Sequence, residues 1–215
     1  MQDIELEQAV EILLAHASPV TETEDVPLLD AVGRVAAEDI KAGFDNPPFD
    51  RSPLDGYTFA AASTCMAKAE SPVTLRVVAE ECAGDFFAGT VGAGECVRIM
   101  TGGAIPQGCD CVVRQEDVRE DGDAIRVPFT SKPYENYCYA GEDIKKGTVI
   151  LRQGQIIRAA QIAVLASEGH ATVRVHRRVR VAVASTGDEL LQPGEPLRPG
   201  KIYNSNLYLL AGRLK

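Results

Sequence analysis

The sequence predicts a mixed α/β, multidomain chain. A discontinuous mixed α/β domain (residues 1–43 with 139–178) is interrupted by an inserted all-β domain (44–138). The start of a parallel α/β domain follows (179–215), left incomplete where the sequence stops. Three observations predict this layout. Helical periodicity on both flanks encloses a middle stretch of short β-prone runs divided by glycines. The segment 47–59, PPFDRSPLDGYTF, marks the entry to that stretch with three prolines. Beyond Arg180 a continuous apolar run, residues 181–184, ends in polar residues 185–189, the pattern of a buried parallel strand opening onto a loop.

Each element follows from local chemistry. Leu6, Val10, Leu13, Leu14 and Ala17 form a helical stripe over residues 4–17, with Asp3 as candidate N-cap, Glu5 and Glu7 in the first turn, and Pro19 beyond the end. A short helix is expected around residues 28–32, stopping at Gly33. Pro47, Pro48 and Pro53 exclude a helix and hold their segment extended, which makes Asp55-Gly56 a turn tip. Val73, Leu75, Val77 and Ala79 alternate with Thr74, Arg76, Val78 and Glu80 as a half-buried strand, and residues 96–100, 111–114 and 125–129 supply further strands. Residues 159–168 read as a helix closed by Gly169, with His170 in its C-terminal cap. The loop 141–147, GEDIKKG, is not a phosphate-binding P-loop, since both lysines precede its second glycine.

Composition narrows the function classes. With 22 basic against 31 acidic residues the net charge is −9, which repels polyphosphate backbones and argues against nucleic acid as a partner. No apolar run reaches bilayer length, and the acidic opening MQDIELEQAV lacks the basic region of a secretory signal, so a cytoplasmic protein without a membrane partner is expected. The six cysteines include one close pair, Cys109 and Cys111, with no second pair to complete a tetrahedral metal set.

The candidate chemistry lies at the ends of elements. Ser185, Thr186, Gly187, Asp188 and Glu189 follow the expected strand, at the carboxyl end where ligands collect in α/β sheets. A long connection leads to Ser205, expected to cap a helix through Leu207, Leu210 and Leu214 whose first N–H groups would face an anion.

Five motifs, taken together and in order, resemble the molybdopterin molybdotransferase family, that is the MoeA enzymes and the E domain of gephyrin. They are the DGY segment 48–57, RIMTGGAIP at 98–106 leading to VVRQED at 112–117, AGEDI at 140–144, STGDEL at 185–190 and YNSN at 203–206. The resemblance spans essentially the whole sequence and matches the N-terminal portion of the family, with no counterpart here to its pterin-binding Gly/Ser loop, following lysines and last domain. It implies a cytoplasmic homodimeric enzyme that takes two small anionic substrates, adenylylated molybdopterin and molybdate. Such an enzyme inserts molybdenum with release of AMP, is assisted by Mg²⁺, and has a molybdopterin adenylyltransferase as partner. By motif, Asp55, Thr101, Asp143 and Glu189 match active-site positions. Ser185, Thr186, Gly187, Asp188, Asn204 and Ser205 fall in the part that binds the pterin substrate, with Asp188 and Glu189 as the Mg²⁺ carboxylates. Ser52-Pro53-Leu54 and Gly103-Ala104 depart from the usual family wording beside the acid and the hydroxyl. On this reading the 215 residues alone are catalytically inactive, and the alternative is a non-catalytic dimerisation or scaffold module of the gephyrin E-domain type.

Overall fold

The structure is a computed structural model that describes residues 4–214. In chain order its elements begin with α1 (Leu6–His16), β1 (Thr23–Pro27), a 3₁₀ turn (Leu28–Ala31), β2 (Ile40–Lys41), β3 (Gly56–Phe59) and β4 (Val73–Glu81). Next come β5 (Glu95–Ile99), β6 (Cys111–Arg114), β7 (Arg119–Asp121), β8 (Ala124–Val127), β9 (Val149–Leu151) and α2 (Ala159–Ser167). The last four are β10 (Thr172–His176), β11 (Leu190–Leu191), β12 (Ile202–Tyr203) and α3 (Ser205–Arg213). Backbone contacts divide the chain into two compact units, residues 25–175 and residues up to 24 together with those from 176 on.

The larger unit is built on a six-stranded sheet in the order β6-β3-β5-β4-β8-β7, antiparallel throughout except for the parallel pair β4 and β5. Alternation in β4 works as the sequence requires at its start, with Leu75 fully buried between exposed Thr74 and Arg76. The register then shifts between Val77 and Ala79, a bulge that re-aims the strand's last residues. Every residue of β3 is buried because it lies between β5 and β6. Tyr57, Phe59, Leu75, Cys96, Cys111, Ile125 and Val127 pack into one core against this sheet.

A second core in the same unit gathers Val26, Ala31, Ala36, Leu151, Ile157, Leu165, Val173 and Val175. Leu165 is the buried anchor of α2. The helix ends in a Schellman motif, in which the Gly169 N–H bonds Ala166 O and the His170 N–H bonds Leu165 O, with Gly169 at φ +79°. His170 therefore stands where the sequence places it. The short helix expected near residue 28 is the 3₁₀ turn, and it too is closed by a positive-φ glycine, Gly33.

Two expectations are corrected. Gly56 is not a turn tip but the first residue of β3, and a Cβ there would lie 1.8 Å from Val113 O. The sequence Asp-Gly is needed for close strand approach, which local turn chemistry does not reveal. Residues 181–184 are not in a strand, and Val181 is 56% exposed. A strand needs at least one neighbour to pair its backbone groups, and no described strand pairs with this run. The cap expected at Asp3 lies outside the described residues. Glu5 occupies the N-cap position of α1 without a side-chain bond, and none of the helix's residues is buried.

In the smaller unit β11 and β12 pair in parallel, Leu190 with Ile202 and Leu191 with Tyr203, interrupting what reads in sequence as one long connection. Among the described residues no helix is long and apolar enough to cross a membrane.

Candidate active site

In the larger unit the extended segment 50–52 works as a strap between two loops. On one side Ser52 N donates to Gly103 O at 2.9 Å, Gly102 N to Ser52 O at 2.8 Å, and Ile105 N to Asp50 O at 2.9 Å. On the other, Arg51 and Cys138 exchange both backbone bonds, at 2.9 and 3.1 Å. The Asp50 carboxylate closes this side by accepting from Tyr137 Oη at 2.6 Å and from Ala140 N at 2.8 Å. The proline-bounded sequence favours this geometry because it holds the segment extended and open to bonding on both edges.

The strap ends at Asp55, which meets Thr101 at the turn after β5. One carboxylate oxygen, Oδ1, accepts from both the Thr101 N–H at 2.8 Å and its hydroxyl at 2.7 Å. The backbone bond first and the hydroxyl second hold the Asp55 carboxyl below the ordinary carboxylate value, with the Arg98 guanidinium adding to the effect. Both bonds fall on Oδ1, which leaves Oδ2 open to a further donor. Gly102, at φ +86°, makes the turn that presents Thr101.

Asp143 lies across the strap on the 141–147 loop. Its N–H donates to Asn46 O at 3.1 Å, and its exposed carboxylate stands 3.8 Å from the Arg51 guanidinium. The strap thus touches both the Thr101 turn and the Asp143 loop. Arg51 and Arg98 were missed by sequence reasoning. Both lie in the motifs quoted above, Arg51 next to Asp50 and Arg98 three positions before Thr101, and a search for cations among them would have found them.

The smaller unit holds the second group of expected residues. Ser185, Thr186, Glu189, Tyr203, Asn204 and Ser205 line an open cavity of about 190 Å³. Asn204 organises it: buried at 4% exposure, its Nδ2 donates to Ser185 Oγ at 2.6 Å and its Oδ1 accepts from Leu207 N at 3.2 Å. Asn204, not Ser205, is therefore the N-cap of α3, and Ser205 is the first helical residue. An Asn carboxamide can cap and reach the Ser185 hydroxyl together, which a Ser in that place cannot. The first turn of α3 leaves N–H groups free toward an anion.

The Glu189 carboxylate folds over Gly187, whose Cβ position lies 2.5 Å from Glu189 Oε2. Gly187 is required there at φ +150°. Asp188 does not line the cavity, and the Lys201 ammonium bonds its backbone oxygen. Lys201 is a further residue that sequence reasoning missed, with no signal beyond its place just ahead of the 203–206 motif.

Residues 4–169 match the family described as the MoeA N-terminal region, domains I and II. The chain belongs to this family. Among MoeA-family relatives, the molybdopterin molybdenumtransferase of Haemophilus influenzae is 39% identical over 205 residues, covering 94% of this chain and 49% of that protein. The protein of the same name from Nostoc sp. is 40% identical over 194 residues, covering 90% and 44%. A crystal structure of the molybdopterin biosynthesis MoeA protein of Pyrococcus horikoshii superposes with a TM-score of 0.86 at 39% identity, over 97% of this chain and 55% of that one. The mixed α/β fold is thus that of MoeA structures. The chain spans about half the length of the curated MoeA relatives it matches.

Proposed function

We propose that this chain contributes to molybdenum cofactor biosynthesis, as the N-terminal part of an enzyme that inserts molybdate into adenylylated molybdopterin and releases AMP. The observation that carries this reading is the Asp55–Thr101 pair, assembled in a MoeA-family chain. Asp55, held ionised by two bonds from Thr101, is suited to orient water against the phosphoanhydride and to take its proton on the second oxygen. A hydroxyl has one proton. Thr101 gives that proton to Asp55, so it meets a ligand as an acceptor or redirects the proton to an oxyanion that displaces Asp55. Asp143 and Glu189 are the further acids of the reaction, and Arg51 offsets the repulsion between Asp143 and anionic substrates.

Ser185, Thr186, Gly187, Asp188, Asn204 and Ser205 would bind the pterin substrate, Asn204 fixing Ser185 and the helix start. Among the described residues no group of three or more His, Cys, Asp or Glu could hold a metal ion. Mg²⁺ commonly takes one or two carboxylates and completes its shell with water and substrate phosphate; Glu189, which lines the cavity, would supply one, whereas Asp188 stands outside the lining. There it would neutralise charge on the anhydride. Residues 44–138 would form the inserted β domain, 1–43 with 139–178 the discontinuous domain around it, and 179–215 the start of the pterin-binding domain. The exposed stripe of α1, with Leu6, Leu13 and Leu14 each about 70% exposed, supports a homodimer, and the enzyme would act in the cytoplasm. The same stripe favours, as the second reading, a non-catalytic assembly module. A molybdopterin adenylyltransferase would be the partner that hands over the adenylylated substrate.

The test is molybdate-dependent AMP release from adenylylated molybdopterin, followed by chromatography. The protein is this chain joined to the C-terminal half of the Haemophilus relative. The expected result is release that falls at least ~100-fold in Thr101→Val and Asp55→Asn, in line with removal of a positioned acid-base group. Release unchanged by both substitutions refutes the reading. The 215-residue chain alone is expected to release none.

A further inference from the structure

Beneath the turn that carries Thr101 lies an ionisable group that the proposed chemistry does not use. Glu81 ends β4 and is only 1% exposed. It stands opposite Ile99 in the parallel register with β5, and its backbone oxygen accepts from Met100 N at 3.1 Å. The turn continues directly from that bond, Gly103 N donating to Met100 O at 2.9 Å. The packing is tight, since a Cβ on Gly103 would lie 2.8 Å from Ile99 Cγ1 and 3.4 Å from Glu81 O. Neither oxygen of the Glu81 carboxyl has a hydrogen-bond partner of full geometry. The N–H groups of Phe87 and Ala104 approach it without closing such a bond. Two titratable groups face it: Asp85 on the loop after β4, and Cys109 ahead of β6. The turn residues 100–104 bring none.

We propose that Glu81 is a positioning residue for Thr101: its buried carboxyl props the 100–104 turn from beneath, and the turn delivers Thr101 to Asp55 only while that carboxyl is uncharged. This rests on the reading of Asp55 and Thr101 as the working pair. An ionised carboxylate in this place has no cation and no completed hydrogen bond to compensate it, and it faces the charge of Asp85. Its way to satisfy its oxygens is to draw in the Ala104 N–H or admit water. Either movement pulls on Gly103, which is tied to Met100 and Ser52 by backbone bonds, and so turns Thr101. Burial, aided by Asp85 and opposed by the two N–H groups, pushes the Glu81 carboxyl above the ordinary glutamate value of 4.5, so the neutral form persists where exposed glutamates are ionised.

The experiment follows the amide resonances of Thr101 and Gly103 by NMR between pH 3 and 9 in the 215-residue chain. Both amides are expected to move with a shared midpoint above 4.5. In Glu81→Gln that midpoint disappears while the Thr101 amide keeps its Asp55-bonded position. In Asp85→Asn the midpoint falls, and this second variant decides the matter if Glu81→Gln does not fold. Amides unmoved above pH 4.5, a midpoint that survives in Glu81→Gln, or one unshifted in Asp85→Asn overturns the proposal. AMP release lost in Thr101→Val without any such titration would sink the positioning role and leave the functional reading standing. A titrating turn with release indifferent to Thr101→Val would do the reverse.

Discussion

Replacing Gly56 with alanine tests the central strand directly. The ideal Cβ would sit 1.8 Å from Val113 O, 2.9 Å from Val113 C and 3.2 Å from Arg114 Cα. All three are backbone atoms of β6, so no side-chain rotation relieves the clash. β3 and β6 would have to part by about 1.5 Å to restore van der Waals contact. β3 is also hydrogen-bonded to β5, with Gly56 opposite Ile99, so shifting it away from one neighbour strains the other ladder. Overpacking of this kind costs about 1–3 kcal/mol, and each ladder bond lost adds about 1 kcal/mol. The expected destabilisation is therefore about 3–5 kcal/mol, a large share of a normal folding free energy. In urea unfolding followed by circular dichroism, an m-value of about 2 kcal/mol/M turns this into a midpoint lowered by about 2 M. Gly43→Ala is the control, because nothing lies within 4 Å of its Cβ position and its φ is ordinary. It is expected to stay within about 0.5 kcal/mol of the parent. A Gly56→Ala midpoint within about 0.3 M of the parent would refute the close-approach argument.

Three further outcomes follow from the same geometry. Thr101→Val removes one of the two bonds that hold Asp55 down, so a ¹³C carboxyl titration should find Asp55 moved up toward the ordinary value of 3.8. Because the folded value is lowered, the stabilisation Asp55 contributes is complete above its unfolded value and lost as pH falls through the folded one, and the variant loses it at higher pH. An unmoved Asp55 would show that the hydroxyl bond is not made. Asn204→Ala strips the cap from α3 and the bond to Ser185, at an expected cost of about 1–2 kcal/mol. This is read as faster amide exchange at Leu207, and unchanged exchange there would contradict the capping assignment. Iodoacetamide at pH 8 should label the exposed Cys65 and Cys82 in the folded chain. Cys96 and Cys111, buried and pushed up to about 12, should react only after unfolding, and early labelling of either would place the sheet core wrongly.

What the sequence discloses depends on whether the cause of a feature is local. The strands β4, β5, β6 and β8 and the helix α2 lie where their local pattern puts them, because each carries its buried apolar residues in its own sequence, and α1 forms where its stripe predicts although none of its residues is buried. The Gly169 cap is legible for the same reason. Gly56 and residues 181–184 are misread because their state is set by neighbours distant in sequence. Gly56 is fixed by the backbone of Val113, 57 positions on. The 181–184 run has the composition of a buried strand but no described strand to pair with, and its valines instead line an open apolar groove with Leu207, Ala211 and Leu214.

The candidate site divides along the same line. Asp55 and Thr101 are each an ordinary turn residue in the sequence, 46 positions apart. The antiparallel register of β3 with β5 makes them a pair. With Gly56 opposite Ile99, the residues just outside the ladder are Asp55 and Met100, and one further step of the turn brings Thr101 to the carboxylate. The strap at 50–52 then fastens that turn to Cys138 through backbone bonds, while Asn46 and Pro47 just ahead of it hold the loop of Asp143 in the same way. An Arg can therefore occupy position 51 and add a cation beside Asp143 without disturbing the bonds that hold the acids in place. In this unit register and backbone bonds set the positions of the acids, and the side chains added to that frame set the local charge around them.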